Sequence, residues 1–139
     1  MGNFDNNIKE LESLTNKVIS YEKELKDFKE AISSSSEGIA LLSEDGTYTF
    51  VNNAHADMFE YSIEEMLGNK WTMLYTDEDV AYFLENVFPV LAEKGTWSGI
   101  YTAVSKTGKK IKESLTLKSL PNGGLVCHCR PYEMLFGNG

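Results

Sequence analysis

Cys127, His128 and Cys129 stand consecutively in this 139-residue sequence, three donors of the kind that bind zinc. Their spacing works against a shared ion. Residues 124–130 read as an extended strand, and on a strand neighbouring side chains point to opposite faces. His128 therefore faces away from both thiols, whereas tetrahedral zinc sites draw ligands from chain that turns back on itself. Cys127 and Cys129 share a face roughly 7 Å apart, a geometry too strained for a disulfide. The triplet reads as two small buried reduced thiols and one outward histidine, with no metal. The other imidazole, His55, falls on a short helix and reads as a partly exposed surface residue, with a pocket or haem role as the alternative. Glu113 is the polar candidate of most interest. Buried, its carboxylate must find a donor or take up a proton; at a solvated strand end it needs neither. Both readings stand on sequence alone.

No catalytic arrangement accompanies these groups. There is no Ser/His/Asp order with local support, no glycine-rich phosphate loop and no His-Glu pair at metal spacing. The carboxylates scatter over helix starts and turns, and the chain reads as a non-enzyme.

The elements that must position these residues follow from patterning. Residues 4–32 lack Gly and Pro, and Leu11, Leu14, Val18, Tyr21, Leu25, Phe28 and Ile32 recur at alternating spacings of three and four. That is the seam of a coiled coil. In a parallel dimer the flanking positions pair Lys17 with Glu22 and Glu24 with Lys29 of the second copy, opposite in sign both times. An amphipathic helix lying on its own domain gives the same periodicity; the matched charges favour a homodimer. Ser33 to Ser36 break the helix, because serines compete for its backbone hydrogen bonds.

Beyond this hinge come strands over 38–43 and 47–51, joined at Glu44-Asp45-Gly46. Asn52 or Asn53 caps a short helix to about Glu60. Ser62-Ile63-Glu64-Glu65 forms a capping box. A longer helix starts at Thr76 or Asp77 and runs to about Lys94, with a kink or break at Pro89. Strands over 96–105, 110–119 and 124–130, linked by short loops, are antiparallel. The order gives an α+β fold: a five-stranded antiparallel sheet with helices on one face, plus a long N-terminal helix. The boundaries are 1–34 for the helix, 35–133 for the domain and 134–139 for a tail.

Charge and composition bound the partners. A formal net charge of −8 disfavours nucleic acid and anionic lipid. The polar, acidic start lacks the features of a signal peptide, and no apolar run approaches a bilayer span. The expected location is cytoplasmic, with no nucleic-acid and no membrane partner.

The motifs, taken in order, resemble the PAS domain superfamily in its sensory-box branch, over about residues 31 to 130. They are Glu44-Asp45-Gly46, Val51-Asn52-Asn53-Ala54, Met58-Phe59-Glu60-Tyr61-Ser62, Glu64-Glu65-Met66-Leu67-Gly68, Trp71-Thr72-Met73-Leu74-Tyr75, Asp77-Glu78-Asp79, Gly95-Thr96-Trp97-Ser98-Gly99, Lys106-Thr107-Gly108 and Gly123-Gly124-Leu125-Val126-Cys127. Two positions depart from the family pattern. Glu60 stands where Gly usually precedes the Tyr-Ser pair, and Pro131-Tyr132-Glu133 stands where an Asp-Ile-Thr triplet often leads to an output helix. The chain stops at Gly139 with no room for an effector, so an excised sensor or a stand-alone partner is expected.

The resemblance implies a PAS fold and a ligand site between sheet and helices. By it, Cys129 faces that pocket; alternation then turns Cys127 and Leu125, Leu117, Leu115 and Glu113, and Trp97, Tyr101 and Ala103 the same way. The helical wall is expected from Phe59, Tyr61, Trp71, Leu74, Phe83, Leu84 and Val87. These side chains either surround a ligand or simply fill the core. The outer face takes Ile100, Thr102, Val104, Ser114, Thr116, Val126 and His128, and the N-terminal helix or a second subunit is expected to cover it. No cofactor is indicated: residues 68–79 lack the cysteine of flavin-adduct photosensors, and residues 77–94 lack the histidine of haem sensors. The function implied is a non-catalytic sensory input domain that reads a small ligand or stimulus and relays it through a dimeric helix to a kinase or other effector. The alternative is a ligand-free homodimerisation or protein-interaction module.

Overall fold

The computed structural model describes residues 2–132, and the chain divides into two units, Met1–Ser34 and Ser35–Gly139. The tail expected over 134–139 lies outside the described residues.

The first unit is one helix, α1 (Gly2–Ser33). Apart from Gly2 it contains no helix breaker, and its seam residues Leu11, Leu14, Val18, Tyr21, Leu25 and Phe28 are each 53–63% exposed. No residue of α1 is buried. The helix ends as the serine run predicts: the Ser34 amide bonds back to the Glu30 carbonyl at 3.0 Å and its hydroxyl to the Ala31 carbonyl at 3.0 Å, so further helical bonding stops.

The second unit is a five-stranded antiparallel sheet in the order β2-β1-β5-β4-β3, formed by β1 (Gly38–Leu42), β2 (Tyr48–Val51), β3 (Thr96–Val104), β4 (Lys110–Ser119) and β5 (Leu125–Pro131). Between β2 and β3 run α2 (Asn53–Met58), α3 (Ile63–Met66), a 3-10 turn (Trp71–Leu74), α4 (Asp77–Tyr82), a π turn (Phe83–Val87) and α5 (Phe88–Lys94). Polar side chains start the short helices. Asn52 accepts from the His55 amide, Thr76 from the Asp79 amide, and Ser62 with Glu65 completes the capping box.

The helix expected to about Lys94, with a kink or break at Pro89, is divided just before that residue. Pro89 has no amide hydrogen and is tolerated only in a first turn. The chain meets this with the π turn, in which the Phe88 amide bonds to the Phe83 carbonyl, and α5 restarts with Pro89 in its first turn. The break corrects the helical wall too. Phe83, Val87 and Leu91 are buried in one stripe, while Leu84 is 55% exposed and faces away from the core. Phe83 takes the inward place on this turn, and Leu84 beside it points outward.

Glu60 is the one non-glycine residue with positive φ, at 68°, among the described residues. It occupies the left-handed conformation that favours glycine, at the turn between α2 and α3. Its carboxylate accepts hydrogen bonds from the Ser105 and Thr107 hydroxyls in the β3–β4 turn, and the Lys106 amide bonds to the Phe59 carbonyl at 3.0 Å. Side-chain bonds thus hold a backbone shape that glycine reaches without help.

The core lies between the helices and one sheet face. Leu115 and Leu117 of β4, Cys127 and Cys129 of β5, and Ala40 and Leu42 of β1 meet Phe59, Met66, Leu74, Phe83 and Val87. Each large aliphatic side chain buried here contributes on the order of 1.5–3 kcal/mol. Trp97 is only half-buried; its ring lies along the sheet over Gly99, where an added Cβ would come within 2.7 Å of it. On the outer face His128 points away from both thiols, with Nδ1 3.6 Å from a Glu37 carboxylate oxygen. The three donors of the triplet do not converge.

Candidate functional site

The site begins at Asn52. Its side-chain oxygen accepts from the Ile39 amide at 2.9 Å and the His55 amide at 3.0 Å, and its Nδ2 donates to the Glu37 carbonyl at 2.9 Å. One buried amide thus fastens the chain entering β1 to the start of α2. That sets the direction of His55, one turn into α2 and four residues before the fully buried Phe59.

His55 is buried, 3% exposed, which corrects the expectation of a surface residue. Its Nδ1 lies 3.1 Å from the Cys129 sulfur. Its ring meets Tyr48 and Phe59 edge to face at 5.6 and 5.1 Å. Nε2 is buried and has no hydrogen-bond partner among the described residues. Gly38 makes room for this pair: a Cβ there would stand 2.9 Å from the Cys129 sulfur and 3.0 Å from the His55 backbone.

Glu113 is 1% exposed in the middle of β4, so the solvated strand-end reading is excluded. Tyr75 donates to its Oε2 at 2.7 Å. Burial pushes the Glu113 carboxyl up to about 7, with the Tyr75 bond opposing, and burial lowers His55 to about 4. Burial likewise raises the Cys127 thiol to about 12 and Cys129 further. Imidazole and thiol therefore meet as neutral groups, not as a reactive ion pair.

His55, Tyr75, Glu113 and Cys127 face a cavity of about 30 Å³. Of the expected pocket residues, Trp71, Leu74, Phe83, Glu113, Leu115, Leu117, Leu125 and Cys127 line it. Phe59, Val87, Ala103 and Cys129 are buried in the core beyond its lining, and Tyr61, Trp97 and Tyr101 pack half-buried against that core. The Tyr101 hydroxyl is directed to Asp79 at 2.8 Å. Leu84 takes no part.

Leu42, Tyr48, His55, Tyr75 and Phe88 also line the cavity and were not among the expected wall residues. For His55 a signal existed: it precedes the inward Phe59 by four, one turn on the same helix face. Tyr75 follows a 3-10 turn, where no period carries across.

A family model described as "PAS domain" matches residues 36–129. No curated protein matches the chain in sequence. Among solved structures, the PAS domain of a protein from Colwellia psychrerythraea is 19% identical, covering 78% of this chain and 96% of that one, with a TM-score of 0.72. The PAS domain of a LuxR-family transcriptional regulator from Burkholderia thailandensis, in complex with ethanol, is 16% identical, covers 75% and 96%, and has a TM-score of 0.70. A domain of a sensory box sensor histidine kinase/response regulator from Geobacter sulfurreducens is 18% identical, covers 77% and 93%, and has a TM-score of 0.66.

Proposed function

This chain belongs to the PAS domain family, and on that premise we propose that it is a sensory input domain that reads a small ligand in its core and passes the change to α1. The observation that carries this reading is the pair of buried polar groups at the cavity. Glu113 and the unpartnered Nε2 of His55 lie in a core whose apolar walls would be more stable without them. Such groups are costly for packing alone and useful for recognition. The Burkholderia and Geobacter relatives, one a regulator domain holding ethanol and one from a sensor kinase, support a regulatory setting.

The relay in this reading runs through Gly38. The His55–Cys129 pair packs against it, and Asn52 holds Glu37 just before it. A shift at the cavity therefore reaches the chain that leads back through Ser33–Ser36. The output is a parallel homodimer through Leu11, Leu14, Val18, Tyr21, Leu25, Phe28 and Ile32, acting on a kinase or other effector in the cytoplasm. Native mass spectrometry and absorbance of the purified full chain test the sensor. A stoichiometric small molecule or a near-ultraviolet or visible band supports it; a ligand-free, colourless protein in every preparation refutes it.

One observation favours a second reading. A cavity of about 30 Å³ is small for a ligand site, and the exposed seam of α1 suits a ligand-free dimerisation module. Dimers that form identically with the cavity blocked or open favour that module.

A further inference from the structure

We propose that the core cavity takes an uncharged hydroxylic molecule of methanol or ethanol size, seated between Nε2 of His55 and the carboxyl of Glu113. The proposal rests on the sensory reading and names the ligand class for the same cavity.

Size comes first. A cavity of about 30 Å³ is far below the roughly 300–1,000 Å³ of a drug-sized ligand site, so it suits a guest of only a few non-hydrogen atoms. Haem, flavin and aromatic ligands do not fit without repacking Trp71, Phe83 and Leu115.

Chemistry narrows the class further. Nε2 of His55 is buried and without a partner, while Nδ1 is taken by the Cys129 sulfur. If the thiol donates to Nδ1, then Nε2 carries the proton and needs an acceptor. In the other tautomer Nε2 needs a donor. A hydroxyl is both, so it satisfies the ring whichever nitrogen is protonated. Glu113 holds the Tyr75 hydroxyl on Oε2 and keeps further acceptor capacity, or a proton to donate when neutral. An anionic guest would lose its hydration among Leu74, Phe83, Leu115 and Leu117, and His55, held neutral by burial, offers it no counter-charge. An inert gas would leave Nε2 as costly as before. A one- or two-carbon alcohol meets the polar groups with its hydroxyl and the apolar walls with its alkyl end.

The test is a titration of the full chain, labelled with ¹⁵N in its imidazoles, with ethanol as the probe. A saturable shift of the His55 Nε2 resonance is expected, together with nuclear Overhauser contacts from the ethyl group to Phe83 and Leu115. Glu113→Gln keeps the shape and should weaken binding several-fold; His55→Phe should weaken it at least tenfold. Should His55→Phe fail to fold, the Nε2 shift and Glu113→Gln still decide the matter. No shift with ethanol overturns the proposal. So does xenon entering as readily as ethanol with Nε2 unmoved, which marks a dry void, or ammonium chloride binding more tightly, which marks a cation site. A larger ligand found in this cavity by native mass spectrometry overturns the size assignment and leaves the sensory reading standing. Exclusion of every probe, with no ligand carried through purification, ends both.

Discussion

Tyr75 donates its phenolic hydrogen to Oε2 of Glu113 across 2.7 Å, a bond that ties the segment after the 3-10 turn to the middle of β4. Burial raises the pKa of both groups, with the Glu113 charge adding to the rise for Tyr75. Tyr75 therefore remains a donor at neutral pH, and the carboxyl is the member of the pair that titrates.

Glu113 and His55 should hide each other's pH dependence. Glu113 rises from 4.5 to about 7 on folding, so its contribution to stability is greatest below pH 4.5 and declines as pH rises toward 7. His55 falls from 6.5 to about 4, so its contribution is full above pH 6.5 and declines as pH falls toward 4. Between pH 4.5 and 6.5 the two slopes cancel, because folding moves one proton from the imidazole to the carboxyl without net uptake. In urea melts, His55→Phe should lose about 2–3 kcal/mol as pH rises through this window, and Glu113→Gln should gain about as much. A flat profile in both variants would show that neither group is shifted.

Cys127 and Cys129 should react slowly with a thiol reagent in the folded protein and quickly in denaturant. Both are buried, and burial raises both thiols, while the thiolate is the nucleophile. Labelling at the rate of a free peptide would mean that β5 opens in solution.

At position 60, the contrast between glycine and alanine isolates the backbone. Either substitution removes the carboxylate that holds Ser105 and Thr107, but only glycine relieves a φ of 68°. Glu60→Gly should melt about 4–8 °C above Glu60→Ala. Equal melting temperatures would mean that the turn rearranges once the carboxylate is gone.

Light scattering on the chain without residues 1–30 should show a shift from dimer toward monomer. The seam of α1 exposes six large apolar side chains along one line, and Lys17, Glu22, Glu24 and Lys29 supply its matched charges. An unchanged dimer would move the interface to the other unit.

The sheet was legible in the sequence because its signal has period two. Alternation orders Glu113, Leu115 and Leu117 on β4 and Cys127 and Cys129 on β5 without any knowledge of the helices, and all five are buried. The cap at Ser62 was legible for a similar reason, and those at Asn52 and Thr76 to within one residue, since each acts within three residues. The partners of the site's polar groups were not. His55 finds its sulfur 74 residues away and Tyr75 its carboxylate 38 residues away; a polar side chain on a short helix looks solvated until that partner is known. Leu84 was misread because an apolar helix stripe is wide enough for two neighbouring residues, and spacing alone does not say which of Phe83 and Leu84 faces in.

The adjacency of β1 and β5 has a mechanical consequence. Gly38 lies opposite Cys129 and Leu42 opposite Leu125, so the chain enters β1 and leaves β5 at the same end of neighbouring antiparallel strands. Tension between residues 37 and 132 peels these strands apart one rung at a time instead of sliding them past each other under a shared load. The first rungs to part carry Gly38 and Cys129, beside the imidazole at the cavity wall. A pull along the two chain segments should thus unseal the interior before it unravels the sheet. Moving one attachment point from Tyr132 to the exposed turn at Asn122 turns peeling into shear, and in a single-molecule measurement the rupture force should rise.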